Sequence, residues 1–186
     1  MIVGVLLAAG RGTRFGSHKL LHPLADGTPM ALAALRNLAP SVDSVIAVVR
    51  PEDSALIQLL SKEQARVLPC PAAAQGMGAS LACGVRATPE AAGWLIALAD
   101  MPYVPTAVSA ALSAELQAGT PLVAPTYQDQ RGHPVGFSRV YYPALAALSG
   151  DRGARQILDQ HADQLRLIAV NEPGILRDID APRDLT

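Results

Sequence analysis

The sequence contains few of the residues that mark several classes of protein. Its 186 residues include only two cysteines, Cys70 and Cys83, with no CxxC pattern and no pair of histidines nearby. Neither a zinc site nor a disulfide framework is therefore expected. Aromatic residues make up 4% of the chain, and alanine supplies much of the apolar half. The core should therefore be built mainly from small aliphatic side chains.

The chain also lacks an excess of charge of either sign. Its 15 basic and 16 acidic residues give a net charge of −1, and charged residues make up 17% of the total. A nucleic-acid partner normally requires a basic face, so no nucleic acid is expected as a partner. Any phosphate binding must be local, built from a few side chains and backbone amides.

Long apolar runs are absent as well. No stretch reaches the roughly 18 residues that a membrane-spanning helix needs, and the apolar amino terminus has no basic segment before it. We therefore expect a cytoplasmic protein without a membrane partner. The length suits a single domain over residues 1–186.

Short apolar runs alternate with segments that have helical spacing of apolar residues. The predicted strands are Ile2–Leu7, Ser44–Val49, Ala65–Pro69, Gly93–Leu98, Pro121–Ala124 and Leu165–Val170. The predicted helices are Met30–Leu38, Glu52–Leu60, Ala79–Arg86, Ala107–Gln117 and Val140–Leu148. This alternation predicts an α/β fold with three α/β/α layers, Rossmann-like, in which helices cover both faces of a mostly parallel sheet. Ligands of such sheets bind beyond the carboxyl ends of the strands.

The loop after the first strand combines glycines with cations. The glycines are Gly10, Gly12 and Gly16, and the cations are Arg11, Arg14 and Lys19. Glycines let backbone N–H groups approach an anion closely, and the cations neutralise a triphosphate. Neither the Walker spacing nor the dinucleotide-binding GxGxxG spacing is present, and Arg50 stands where an acid would hold a ribose hydroxyl. The loop therefore predicts triphosphate binding of another kind.

A carboxylate follows the fourth predicted strand. Asp100 ends that strand, and Mg²⁺ prefers one or two carboxylates together with phosphate oxygens. We expect Asp100 to hold Mg²⁺ on the phosphates of a nucleotide, although it could instead cap the following helix. Arg152 and Arg155 lie in a loop before a short helix, where they could contact an anion or simply be surface charges.

Six segments together resemble the molybdopterin nucleotidyltransferases. The first is LAAGRGTRFGSHKLL over residues 7–21, which is similar to the signature LAAGxGxRxGxxKLL. The others are QGMGASL (75–81), LADMP (98–102), RGHPV (131–135), GDRGAR (150–155) and DIDAPRDL (178–185). Within the family, Ala8-Ala9 resembles the molybdenum cofactor cytidylyltransferases more than the guanylyltransferases, which tend to read LAGG.

The resemblance implies a nucleotidyltransferase fold and transfer of CMP from CTP to a molybdopterin-type cofactor, with release of pyrophosphate. The recipient of the product would be a molybdoenzyme or its maturation chaperone. The alternatives are guanylyl transfer to the same cofactor, nucleotidyl transfer to a sugar or polyol phosphate, and a non-catalytic carrier of the same fold.

The resemblance also assigns roles to residues. Arg14, Lys19 and Asp100 would be catalytic, and Asp180 would join Asp100 as a metal ligand, although it could also cap a helix. His133, Arg152 and Arg155 would lie on the acceptor side. The nucleotide-binding residues would be Leu7, Ala8, Ala9, Gly10, Arg11, Gly12, Arg14, Lys19, Gln75, Gly76 and Ser80.

Overall fold

The computed structural model describes residues 1–10 and 18–185, and within them eight strands form one sheet. The strands are β1 (Ile2–Leu7), β2 (Ser44–Val49), β3 (Arg66–Pro69), β4 (Gly93–Leu98), β5 (Leu122–Tyr127), β6 (Gln130–Arg131), β7 (Val135–Ser138) and β8 (Leu165–Ala169). They run in the order β3-β2-β1-β4-β7-β5-β6, and β8 pairs with β5. The β3-β2-β1-β4 half is parallel, β8 is parallel to β5, and β7 and β6 are antiparallel to their neighbours.

Six α-helices accompany the sheet in the described residues. They are α1 (Met30–Leu38), α2 (Ser54–Leu60), α3 (Met77–Arg86), α4 (Thr106–Gln117), α5 (Tyr142–Ala146) and α6 (Arg155–Gln160). None of the helices found there is long and apolar enough to cross a membrane.

The side chains of β1 alternate between two cores, one on each face of the sheet. Ile2 and Leu6 pack with apolar residues of α1, α2 and α4, whereas Val3 and Val5 pack with residues of α3, α5 and α6. All six residues of β1 are buried, as expected for a strand covered on both faces. The predicted three-layer, mostly parallel α/β architecture is therefore confirmed.

The antiparallel strand β7 was not predicted. It has only four residues, includes Gly136, and follows the His133–Pro134 cis peptide bond, so it lacks the long β-branched run that marks the other strands. It pairs with β4 on one side and β5 on the other. A Cβ at Gly136 would stand 2.6 Å from Val123 Cγ1 and 2.9 Å from Leu116 Cδ1, so the glycine is required by packing.

The parallel half of the sheet brings the carboxyl ends of three strands to one edge. Leu7 at the end of β1 is in register with Val48 of β2 and with Leu98 of β4. The segments that follow these strands carry Ala9, Arg50 and Asp100. The edge at which the sequence predicted ligand binding is therefore the place where these three residues meet.

Candidate active site

A lysine lies between two carboxylates at this edge of the sheet. Lys19 Nζ donates to Asp100 Oδ2 at 2.9 Å and to Asp180 Oδ1 at 3.0 Å. Lys19 begins a short 3₁₀ helix and its side chain is 8% exposed, whereas those of Asp100 and Asp180 are 29% and 48% exposed. The structure thus brings together three predicted site residues that are separated by up to 161 positions in the chain.

The contacts with Asp100 and Asp180 keep Lys19 protonated. Burial alone would lower the pKa of the lysine, but the hydrogen bonds and negative charges of Asp100 and Asp180 outweigh it and raise the pKa above 10.5. Lys19 is therefore a permanent cation at neutral pH.

Asp180 reaches the site on the last segment of the chain. The backbone N–H of Ile179 donates to the carbonyl of Asp100 at 3.0 Å, and the fully buried Ile179 side chain packs beside Met30. Asp184 Oδ2 accepts from the N–H groups of Asp180 and Ala181 at 2.9 and 2.7 Å. These backbone hydrogen bonds lower the pKa of Asp184, which therefore stays ionised and holds the turn that presents Asp180.

A small cavity of about 370 Å³ lies beside Lys19 and Asp100. Its walls include five of the residues predicted to bind a nucleotide besides Lys19: Leu7, Ala9, Gly10, Gly76 and Ser80. The Ser80 side chain is buried and its hydroxyl donates to the carbonyl of Gly76 at 3.2 Å. Ser80 thus holds the turn at the start of α3.

Arg50 also lines the small cavity, and sequence reasoning gave it no role there. Its Nε donates to the carbonyl of Ala9 at 2.8 Å, and its side chain is 20% exposed. Arg50 therefore fixes the backbone of the segment after β1. The signal that could have found it is its place directly after a parallel strand, at the edge where ligands bind.

A large cavity of about 1070 Å³ adjoins the small one, and Leu7, Met77, Leu98 and Asp151 line both. Its apolar walls come from β4, β7, α3 and α6, and its cations are Arg131, Arg152 and Arg155. The Asp159 carboxylate forms ion pairs with Arg131 (Oδ1 to Nη2, 3.7 Å) and with Arg155 (Oδ2 to Nε, 3.8 Å). These ion pairs link two of the three arginines that line the large cavity. Arg131 and Asp151 were not among the predicted site residues.

His133 lies in the wall of the large cavity. Its Nδ1 is enclosed and finds no hydrogen-bond partner among the described residues. Burial lowers the pKa of the imidazole; the charge of Asp100 opposes this change, and that of Arg131 adds to it. His133 is therefore a neutral ring at pH 7, suited to positioning rather than to charge neutralisation.

The remaining predicted residues are placed differently. Ala8 is buried in the core beneath the site, and Gln75 is exposed and lines neither cavity. The predicted contacts of Arg11, Gly12 and Arg14 lie outside the described residues.

The donor set at Lys19 fits a metal that arrives with a phosphate. Asp100 and Asp180 offer two partly exposed carboxylates, each of which accepts from Lys19 Nζ with one oxygen. No group of three or more His, Cys, Asp or Glu side chains that could hold a metal occurs in residues 1–10 and 18–185. Two carboxylates completed by phosphate oxygens and water suit Mg²⁺ better than a closed protein cage would.

Comparison with known proteins identifies the family. Residues 4–165 match the model of the MobA-like NTP transferase domain. The chain belongs to this family. As a MobA-like transferase it is an enzyme that moves a nucleotidyl group.

Two curated relatives of this MobA-like transferase differ in how much of the chain they match. The purine catabolism protein PucB of Bacillus subtilis is 32% identical over 98% of this chain and 93% of its own length. The molybdenum cofactor guanylyltransferase of Burkholderia ambifaria is 40% identical, but the match covers 63% of this chain and 57% of that protein.

A solved structure shares the whole fold. The crystal structure of Rv0371c from Mycobacterium tuberculosis is 30% identical, covers 98% of this chain and 94% of its own, and superimposes with a TM-score of 0.84. A complex of Rv0371c with manganese matches at 29% identity and a TM-score of 0.79. A divalent metal is thus bound by a structural relative of this MobA-like transferase.

Proposed function

We propose that this protein transfers CMP from CTP to a molybdopterin-type cofactor and releases pyrophosphate. The observation that carries the proposal is the pair of adjoining cavities beside the Lys19–Asp100–Asp180 cluster. A small cavity lined by the segment after β1 suits a nucleotide, and a large one with arginines on its rim suits a phosphorylated acceptor. The guanylyltransferase relatives support a pterin acceptor.

On the nucleotide side, Lys19 and the backbone of Gly10 would contact the triphosphate, together with Arg11 and Arg14 of the segment that follows. A Cβ at Gly10 would meet no atom of residues 1–10 and 18–185 within 4 Å, so packing against this part of the chain does not require a glycine there. Close approach of a phosphate or ribose to the backbone does require one. Ala9 lines this cavity and is 7% exposed, and it would lie near the nucleotide base.

Asp100 and Asp180 would hold Mg²⁺. When bound, the metal would neutralise charge on the phosphate oxygens and help to orient them. Lys19, placed between the two carboxylates, would keep them together and neutralise charge as the pyrophosphate departs.

On the acceptor side, the apolar walls of the large cavity would take the flat ring system, and Arg152 and Arg155 would attract its phosphate. An oxygen of that phosphate would attack the α-phosphorus of CTP, and the bond from the α-phosphorus to the bridging oxygen would break. The electron pair leaves with the pyrophosphate. An ionised phosphate needs no general base, and His133 would only position it.

Two further nucleotidyl transfers compete with this proposal. Guanylyl transfer to the same cofactor differs only in the base, and one methyl-sized contact discriminates by a few kcal/mol at most. Transfer to a sugar or polyol phosphate differs only in the acceptor. A non-catalytic carrier of the same fold would show no turnover, and membership of a transferase family argues against it.

The test is pyrophosphate release with each of the four NTPs, with and without the molybdenum cofactor. Release from CTP that depends on the cofactor is expected. If GTP is the only NTP that supports release, or if a sugar phosphate can replace the cofactor, the assignment of CTP and the cofactor is wrong. Nucleotidyl transfer as the reaction would still stand.

Asp100→Asn tests the metal assignment. The substitution should lower turnover by about 10²–10³-fold, the usual cost of removing one electrostatic contact to a transition state. Asp163→Asn, at an exposed position outside both cavities, is the matched control and should leave turnover unchanged. Full turnover in Asp100→Asn would reject the metal assignment.

A further inference from the structure

Asp151 lies where the two cavities meet. It is one of the four residues that line both, and it is the acidic one. The segment that carries it packs on the turn at the start of α3, where the N–H of Gly78 donates to the carbonyl of Gly150 at 2.8 Å. Asp151 is thus held at the boundary between the nucleotide side and the acceptor side.

Glycines in both segments allow this close contact of their backbones. Gly76 has a φ of +127° and Gly150 a φ of +63°. A Cβ at Gly76 would stand 2.6 Å from the carbonyl oxygen of Gly150 and closer still to Asp151 Oδ1. A Cβ at Gly78 would stand 2.9 Å from the carbonyl oxygen of Ser149. The carboxylate therefore lies directly over the turn that borders the small cavity.

Among residues 1–10 and 18–185, the cations that line the small cavity have partners other than Asp151. Lys19 is engaged by Asp100 and Asp180, and Arg50 donates to the carbonyl of Ala9. Within the described part of the chain no ion pair includes Asp151, and its side chain is exposed. A free carboxylate beside a triphosphate would weaken binding by repulsion unless it meets donor groups of a ligand.

Three kinds of ligand group could face this carboxylate: a phosphate, a metal ion, or a neutral donor. A phosphate would be repelled. A shared metal is not favoured, because among residues 1–10 and 18–185 Asp151 does not form a metal-binding group with Asp100 and Asp180. A neutral O–H or N–H donor remains, and a carboxylate accepts such hydrogen bonds strongly.

We propose that Asp151 is a specificity-determining residue that accepts hydrogen bonds from neutral O–H or N–H groups of a bound substrate at the junction of the two cavities. The inference rests on the proposed nucleotidyl transfer. The donors have two possible sources, the ribose hydroxyls of the nucleotide and the ring N–H groups of a heterocyclic acceptor. Both offer the same chemistry to the carboxylate.

The test compares Asp151→Ala with wild type and with the control Asp163→Asn. Calorimetry measures binding of CTP, 2′-deoxy-CTP and 3′-deoxy-CTP, and pyrophosphate release measures the KM for the acceptor. Loss of hydrogen bonds to a charged group should weaken one substrate by roughly tenfold or more. Thermal unfolding should be unchanged, because Asp151 is exposed.

The two sources give different outcomes. If ribose is the donor, Asp151→Ala binds CTP about as weakly as wild type binds one of the deoxy nucleotides, and that analogue loses nothing further in the variant. If the acceptor is the donor, CTP binding is unchanged and the KM for the acceptor rises.

Either unchanged binding of both substrates or tighter CTP binding in Asp151→Ala overturns the inference, since the latter would show that the carboxylate only repels phosphate. Failure of the proposed function is distinguishable, because it shows in wild type as pyrophosphate release that is absent or that needs another NTP or acceptor, while the calorimetric comparison of wild type with Asp151→Ala could still be made.

Discussion

Two carboxylates that accept from one ammonium group repel each other, and Lys19 offsets this repulsion at Asp100 and Asp180. The lysine is nearly enclosed, so its contacts are less screened than those of a surface pair. Removing the ammonium would leave two negative charges facing each other. In the proposed function, Lys19 would therefore contribute both to the stability of the site and to nucleotide binding.

Lys19→Met should lower the free energy of unfolding by about 1–3 kcal/mol, the usual range for hydrogen bonds to charged groups. The pKa of Lys19 is raised, so its stabilisation is fully present below 10.5 and is lost as the pH rises through the folded-state value. The difference between wild type and variant in urea titrations should be constant from about pH 7 to 9 and shrink above 10.5. A difference that shrinks below pH 9 would contradict this account. Lys62→Met, at an exposed position, is the control.

Gly10→Ala should weaken the binding of CTP without destabilising the fold. The added methyl group meets no atom of the residues that the structure describes within 4 Å, so the free energy of unfolding should change by less than about 1 kcal/mol. It would project beside the small cavity, and CTP affinity should fall by roughly tenfold or more. Calorimetry and urea titration on the same sample measure both. Unchanged CTP affinity would show that no ligand atom approaches this backbone.

At the scale of elements, the last segment of the chain sets the position of Asp180. Pro173–Leu176 forms a 3₁₀ helix whose Ile175 carbonyl accepts from the N–H of His133 at 2.9 Å. Gly174 lies against the backbone of Tyr103, where an added Cβ would stand 2.8 Å from the carbonyl carbon. The loop after β4 and the loop before β7 are thus held by the same segment.

Gly174→Ala should therefore displace the segment and, with it, Asp180. We expect a loss of about 1–3 kcal/mol in the free energy of unfolding from overpacking, and a lower kcat where the protein remains folded. Glu172→Ala, an exposed position two residues earlier, should change neither quantity. A variant as active and as stable as wild type would mean that the segment does not position the carboxylate.

The elements differ in how far the sequence predicted them. Ile2–Leu7 and Gly93–Leu98 were predicted with their observed bounds, because buried parallel strands are continuous apolar runs. Val135–Ser138 was missed, since its pairing between β4 and β5 depends on distant residues. In the site, Asp100 and Lys19 were predicted from loop chemistry after strands. Arg50 was not, although it too directly follows a parallel strand, and Asp151 was not, because only folding brings its loop against the turn at the start of α3.

At the scale of the whole molecule, one sheet separates two cores that share its strands. Trp94, the single tryptophan, is fully buried near the start of β4, between the parallel strand β1 and the antiparallel strand β7. Its Nε1 donates to Thr88 at 3.0 Å and its ring lies 5.7 Å from that of Tyr142. Its fluorescence therefore reports the point at which the two halves of the sheet join.

We propose that residues 1–186 unfold as one domain, because neither core can lose its strands without exposing the other. In urea, the fluorescence of Trp94 and the far-UV circular dichroism should give the same midpoint and the same slope. Refolding by dilution, which should recover both signals, controls for reversibility. Two separate midpoints would instead show that the parallel half and the β7-β5-β8 half are independent units, and the active site would then lie on the boundary between them.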